Sequence, residues 1–113
     1  LLDSFLYDKI KKDKINLKEG IYAWTLGPSY ETPSEIQDII LNGGNAVGMS
    51  TVPELRLANE LNMNIVGISC LTNYAAGITS SPLSHKEVME TADTVKNQFS
   101  ELVSNILLRV NTN

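Results

Sequence analysis

The run Ala46-Val47-Gly48-Met49-Ser50-Thr51-Val52-Pro53-Glu54 constrains the fold more than any other stretch of this chain. Apolar Ala46 and Val47 read as the end of a buried strand, and Gly48 permits close backbone approach. Pro53 suits the first turn of a helix, where a missing N–H costs little. Thr51 and Glu54 have the spacing of a capping box, in which each residue satisfies a backbone N–H near the other. A strand therefore runs almost directly into a helix, with Met49-Ser50-Thr51 at the junction. In open α/β sheets, ligands collect outside the carboxyl ends of strands, at junctions of this kind. A plain strand-to-helix turn, with Met49 packed in the core, is the alternative that spacing alone leaves open.

The same alternation extends along the whole chain. Leu2, Phe5, Leu6 and Ile10 form one stripe of a helix over residues 1–13. Ile21-Tyr22-Ala23-Trp24-Thr25-Leu26 is rich in strand formers and stops at Gly27-Pro28, a turn signal. Thr32, Pro33 and Glu35 then form a helix start with its own capping box, and Ile36, Ile39 and Ile40 follow. That helix ends near Asn42-Gly43-Gly44, where glycine accepts the left-handed backbone of a C-terminus.

Leu55, Leu57, Ala58 and Leu61 are the apolar positions of the helix after Pro53. Asn64-Ile65-Val66-Gly67-Ile68-Ser69-Cys70-Leu71 reads as a third, buried strand that ends at Thr72-Asn73. A loop over residues 74–83 precedes a last helix that opens at Ser84, with Glu87 completing a third capping box. Val88, Ala92, Val95, Phe99, Leu102 and Ile106 form its buried stripe. The tail at residues 111–113 is expected to fray. The order αβαβαβα predicts an α/β fold, a mostly parallel sheet with flanking helices and right-handed crossovers. Three strands are thin for such a sheet, so the pattern reads as half of a larger one.

Charge and cysteine usage narrow the function class. The net charge is -4, and the sole basic cluster, residues 9–14, is interrupted by Ile10 and Asp13, so a nucleic-acid footprint is not expected. One cysteine, Cys70, excludes an internal disulfide and fits a reducing compartment. No apolar run reaches the length of a membrane span. A cytoplasmic protein is expected. The chain begins Leu-Leu-Asp without an initiator Met, which is read as processing or as a piece of something longer.

Each expected strand ends in a polar cluster: Ser29-Tyr30-Glu31, Met49-Ser50-Thr51 and Thr72-Asn73. Parallel strands would bring all three to one sheet edge. A carboxylate that accepts from ring N–H groups and an amide that both donates and accepts can together hold a planar heterocycle. Met49 can pack against a sugar, because a thioether fills irregular gaps. Read singly, Glu31 is equally a complement to a helix dipole, Asn73 a turn residue and His85 a solvated residue of a first helical turn. No Cys/His cluster points to a structural zinc, and no glycine-rich nucleotide loop is present. Cys70, inside an apolar strand, reads as a small buried hydrophobe rather than a nucleophile.

Four motifs in order carry a resemblance. Gly27-Pro28-Ser29-Tyr30-Glu31-Thr32-Pro33, Ala46 through Glu54, Ile68-Ser69-Cys70-Leu71-Thr72-Asn73 and Ser84-His85-Lys86-Glu87-Val88 resemble the trimeric purine nucleoside phosphorylase family, over its C-terminal part. The resemblance implies the nucleoside phosphorylase fold, and phosphorolysis of 6-oxopurine ribo- and deoxyribonucleosides such as inosine and guanosine. The products would be free base and (deoxy)ribose 1-phosphate, with phosphate as co-substrate and no cofactor or metal.

On that resemblance Glu31 holds the purine N1–H, and Asn73 faces O6 and N7. Met49 lines the ribose, Ser50 binds phosphate, Tyr30 packs on the base, Thr72 neighbours it and His85 lies near the 5′-hydroxyl. Asn73 and Glu31 are the expected catalytic pair. Methylthioadenosine phosphorylase, a sister family, resembles Met-Thr-Thr at the central motif, has an aspartate at the position of Asn73 and lacks the glutamate. The family's glycine- and serine-rich phosphate loop, with further arginine, histidine and tyrosine ligands, has no counterpart in residues 1–113. The chain is accordingly expected to be the C-terminal part of one phosphorylase domain, a homotrimer when complete, without nucleic-acid or membrane partners. The alternative is a catalytically silent fragment acting as a binding or assembly module.

Overall fold

The computed structural model describes residues 17–80 and 84–110. The helix expected over residues 1–13 and the tail at residues 111–113 lie outside the described residues. The elements are β1 (Tyr22–Trp24), α1 (Pro33–Leu41), β2 (Ala46–Gly48), α2 (Val52–Glu60) and α3 (His85–Val110). β1 and β2 pair in parallel, with Tyr22 opposite Ala46 and Trp24 opposite Gly48. α1 is the crossover between them, which agrees with the α/β reading of the alternation.

Bonds outside the short strands extend the ladder at both ends. At its start, the Asn45 and Ala46 N–H groups both donate to the Ile21 carbonyl, at 2.8 and 3.1 Å. The Asn45 side-chain oxygen accepts the Ile21 N–H at 2.9 Å. At its end, the Thr25 N–H donates to the Gly48 carbonyl at 3.0 Å.

α1 forms where its sequence signals put it. The Glu35 N–H donates to Thr32 Oγ1 at 3.3 Å, and the Thr32 N–H donates to Glu35 Oε2 at 2.6 Å. Both halves of the capping box are therefore closed. At the other end Gly43 takes φ 88°. The Gly43 N–H reaches the Ile40 carbonyl and the Gly44 N–H the Ile39 carbonyl, each at 2.9 Å. This is a Schellman C-terminus, with glycine at the left-handed position.

α2 ends the same way with an asparagine. Asn62 takes φ 54°, its N–H bonds the Asn59 carbonyl, and the Met63 N–H bonds the Ala58 carbonyl, both at 3.0 Å. Its start departs from the expected capping box. Thr51 is the N-cap but has φ 77° and makes no side-chain cap bond. Capping needs an extended N-cap backbone to aim the hydroxyl at the helix N–H groups, and this conformation turns it away. Leu57 and Leu61 of the expected apolar face are exposed, and α2 buries no residue fully.

Residues 64–71 form no strand. Their apolar composition is suited to one, but a strand exists only through ladder bonds to a neighbour, and among the described residues no strand pairs with them. Ile65, Val66 and Leu71 are consequently exposed. So is Cys70, against the expectation of a buried hydrophobe.

α3 begins at His85, after Ser84 as expected, with the Val88 N–H donating to the Ser84 carbonyl at 3.3 Å. Along its stripe Leu102 is buried, while Val88, Ala92, Val95 and Ile106 are half-buried and Phe99 is exposed. Ile36 and Leu102 are the fully buried apolar residues of the described chain. The residues of β1 and β2 are mostly half-buried.

Candidate functional site

Because β1 and β2 run parallel, the segments that leave their carboxyl ends emerge side by side. From β1 the chain passes through Thr25, turns at Gly27 with φ 63° and a cis Gly27-Pro28 peptide, and returns to Glu31. From β2 it enters Met49-Ser50-Thr51 and then α2.

Two contacts join these segments. The Thr25 N–H lies on the Gly48 carbonyl, and the Met49 side chain lies directly against Gly27. A Cβ added at Gly27 would meet the flexible Met49 side chain at Sδ, and the positive φ of Gly27 favours glycine there.

Glu31 is half-buried, and the Thr25 hydroxyl donates to its Oε1. A charge-assisted bond of this type is stronger than a neutral one, and the β-branched threonine has few rotamers to lose. The carboxylate is thus tied to the last residue of the β1 ladder, one step from the Met49 segment.

At the β2 exit, Ser50 Oγ and Thr51 Oγ1 lie 3.1 Å apart. The Val52 N–H donates to the Ser50 carbonyl at 2.9 Å, closing a tight turn. A threonine at φ 77° carries a backbone cost of roughly 1–2 kcal/mol. Such costs persist where the surroundings impose them, and they concentrate at functional sites.

A cavity of about 320 Å³ opens at this edge. Its lining combines Tyr22 and residues 47–51 with residues 68–71. Tyr22, in register with Ala46, lies on the face it shares with Gly48. Its phenol oxygen occupies the space where a Gly48 Cβ would stand.

The third polar cluster follows the cavity wall directly. Thr72 Oγ1 donates to Asn73 Oδ1 at 2.7 Å, and Asn73 Nδ2 donates to the Tyr74 carbonyl at 3.0 Å. This amide orientation leaves one Nδ2 hydrogen and an Oδ1 lone pair for a ligand.

Of the residues singled out from sequence, Met49 and Ser50 line the cavity, and Glu31 is joined to that edge through Thr25. Thr72 and Asn73 continue from its wall. Tyr30 and His85 are exposed and stand outside the cavity lining. Sequence reasoning missed Tyr22, Thr25 and Gly27 as parts of the site. Strand register, which sequence does not state, puts Tyr22 over Gly48, and the turn at Gly27-Pro28 brings Thr25 to Glu31. Among the described residues no three His, Cys, Asp or Glu side chains come together as a metal site. No described helix is long and apolar enough to cross a membrane.

Known proteins carry the same arrangement of sequence. The chain matches the Phosphorylase superfamily over residues 1–108. It is 50% identical over 105 residues to Purine nucleoside phosphorylase 1 of Bacillus subtilis, covering 92% of this chain and 39% of that protein. It is 48% identical over 84 residues to a protein named Probable 6-oxopurine nucleoside phosphorylase from Moorella thermoacetica, covering 74% of this chain and 32% of that one.

In fold it resembles the Schistosoma mansoni purine nucleoside phosphorylase crystallised with inosine. That match has a TM-score of 0.84 at 24% identity, over 92% of this chain and 38% of the other. The chain therefore spans well under half the length of the proteins it matches. With the family match running over residues 1–108, the chain belongs to the Phosphorylase superfamily and is similar within it to the purine nucleoside phosphorylases.

Proposed function

We propose that the protein carrying this chain is a purine nucleoside phosphorylase. It cleaves 6-oxopurine (deoxy)ribonucleosides such as inosine and guanosine with inorganic phosphate, giving free base and (deoxy)ribose 1-phosphate. The observation that carries the reading is Glu31, held by the Thr25 hydroxyl at the same sheet edge as Met49 and Ser50. The names of the relatives from Bacillus subtilis and Moorella thermoacetica support the substrate class.

In this reading the Glu31 carboxylate accepts the N1–H of a 6-oxopurine, a hydrogen that adenine lacks. Phosphate attacks the anomeric carbon as the glycosidic bond breaks, and negative charge builds on the departing base. Asn73 donates to that charge through Nδ2. Preorganised donors of this kind lower barriers, and removing one costs on the order of 10²-fold in rate. Met49 lines the ribose and Ser50 contributes to holding phosphate. Tyr30 packs on the base beside Thr72, and His85 serves the 5′-hydroxyl.

The chain covers 39% of the Bacillus subtilis relative. The remaining phosphate and ribose ligands are accordingly assigned to residues outside these 113. A homotrimer working in the cytoplasm, without cofactor or metal, completes the proposal.

Release of hypoxanthine from inosine by the full protein, measured with and without phosphate, is the test. Release that requires phosphate and yields ribose 1-phosphate supports the reading. Release of free ribose regardless of phosphate would make the protein a hydrolase, and no release from inosine or guanosine would overturn the assignment.

A further inference from the structure

We infer that Thr25 is a positioning residue that sets preference for 6-oxopurines by orienting Glu31, an inference that rests on the proposed phosphorolysis. Thr25 is held at both ends of its short length. Its N–H is fixed on the Gly48 carbonyl at 3.0 Å, so its backbone moves with the residue that precedes Met49. Its hydroxyl donates to Glu31 Oε1.

The hydroxyl thereby occupies one carboxylate oxygen and leaves Oε2 to accept a ring N–H. Without it, Glu31 has several χ rotamers, and ordering them would fall to the substrate at each binding event. With it, the acceptor for the base is locked to the same strand pair that carries the sugar-lining segment. Base and ribose contacts are then held at a fixed separation, as precise positioning requires. The residue type matters chemically: valine at this position keeps the branched shape and the backbone bond but cannot donate.

The experiment compares wild type, Thr25→Val, Thr25→Ser and Thr25→Ala in the full protein, with inosine and phosphate. A bond to a charged group stabilises enough for its loss to be read as roughly ten-fold. Thr25→Val is expected to raise KM for inosine roughly ten-fold with a smaller change in kcat, and Thr25→Ser to restore most of it.

In a Glu31→Ala background, which has no acceptor for the Thr25 hydroxyl, the valine substitution is expected to add no further loss. That background is read through the dissociation constant of hypoxanthine if turnover is too slow. Equal losses in the valine and serine variants, or a valine effect undiminished in the Glu31→Ala background, would make Thr25 merely structural and overturn the inference. So would a valine variant indistinguishable from wild type. Should the valine variant not fold, the contrast between Thr25→Ala and Thr25→Ser decides by the same criteria. Wild type that does not cleave inosine would instead defeat the functional reading on which the inference rests.

Discussion

Gly77 packs against Pro33: a Cβ built on Gly77 would stand 2.8 Å from the Pro33 Cβ. Pro33 is the first residue of α1, two positions after Glu31, and Gly77 lies four positions after Asn73. This contact joins the segment carrying the amide to the segment carrying the carboxylate. It does so from outside the cavity, through close approach of two backbones.

Gly77→Ala tests that junction. Gly77 has φ 77°, so alanine meets both a backbone penalty of roughly 1–2 kcal/mol and the Pro33 ring. The variant is expected to lower the unfolding free energy measured in urea by an amount of that order or more, and to raise KM for inosine. Unchanged values of both would mean that the contact positions nothing.

Gly27→Ala addresses the sugar side of the site. At φ 63°, with Met49 Sδ in the way, a methyl group must displace the methionine or the turn. A loss of at least ten-fold in kcat/KM for inosine is expected, on the order of 1.4 kcal/mol. Folding judged by circular dichroism should be retained. Wild-type kinetics would show that Met49 has no fixed place at the site.

The N-terminus of α1 supplies a pH-dependent term. The Thr32 N–H, and then its hydroxyl, hold the Glu35 carboxyl below the ordinary carboxylate range. A carboxyl whose folded-state pKa is depressed contributes stability above its unfolded value, and the contribution is lost as pH falls through the folded value. The wild-type advantage over Glu35→Gln should therefore be largest near neutrality and close under acid. Urea midpoints of both proteins across the acid range check this. A gap independent of pH would assign the effect to packing.

Asn73→Asp bears on base selectivity. The substitution removes the Nδ2 donor that now bonds the Tyr74 carbonyl and, in the proposed mechanism, faces the purine. Inosine cleavage is expected to fall on the order of 10²-fold. Activity on adenosine should rise relative to inosine, because a carboxyl can pair with the amino side of adenine. The ratio of kcat/KM for the two nucleosides measures this, and an unchanged ratio removes Asn73 from the selectivity argument.

Much of this was legible in the amino-acid sequence because its signals are local. Thr32 with Glu35, and Gly43 after α1, act over three to five residues, so spacing alone predicted that helix and its ends. The β-rich stretches beside turn residues likewise located β1 and β2. Glu31, Met49, Ser50 and Asn73 stood out because polar residues cluster where those apolar runs stop.

What depended on contacts across the chain was decided only by tertiary structure. Residues 64–71 have the composition of a strand and are not one, because a ladder needs a partner's N–H and carbonyl groups. Thr51 has the spacing of a capping residue, yet its φ of 77° withdraws the hydroxyl from α2. Thr25 met Glu31 through the turn at Gly27-Pro28, and Tyr22 came to lie over Gly48 through the register of two parallel strands. Sequence spacing states which residues are neighbours along the chain; the hydrogen-bonded register between strands determines which become neighbours in space.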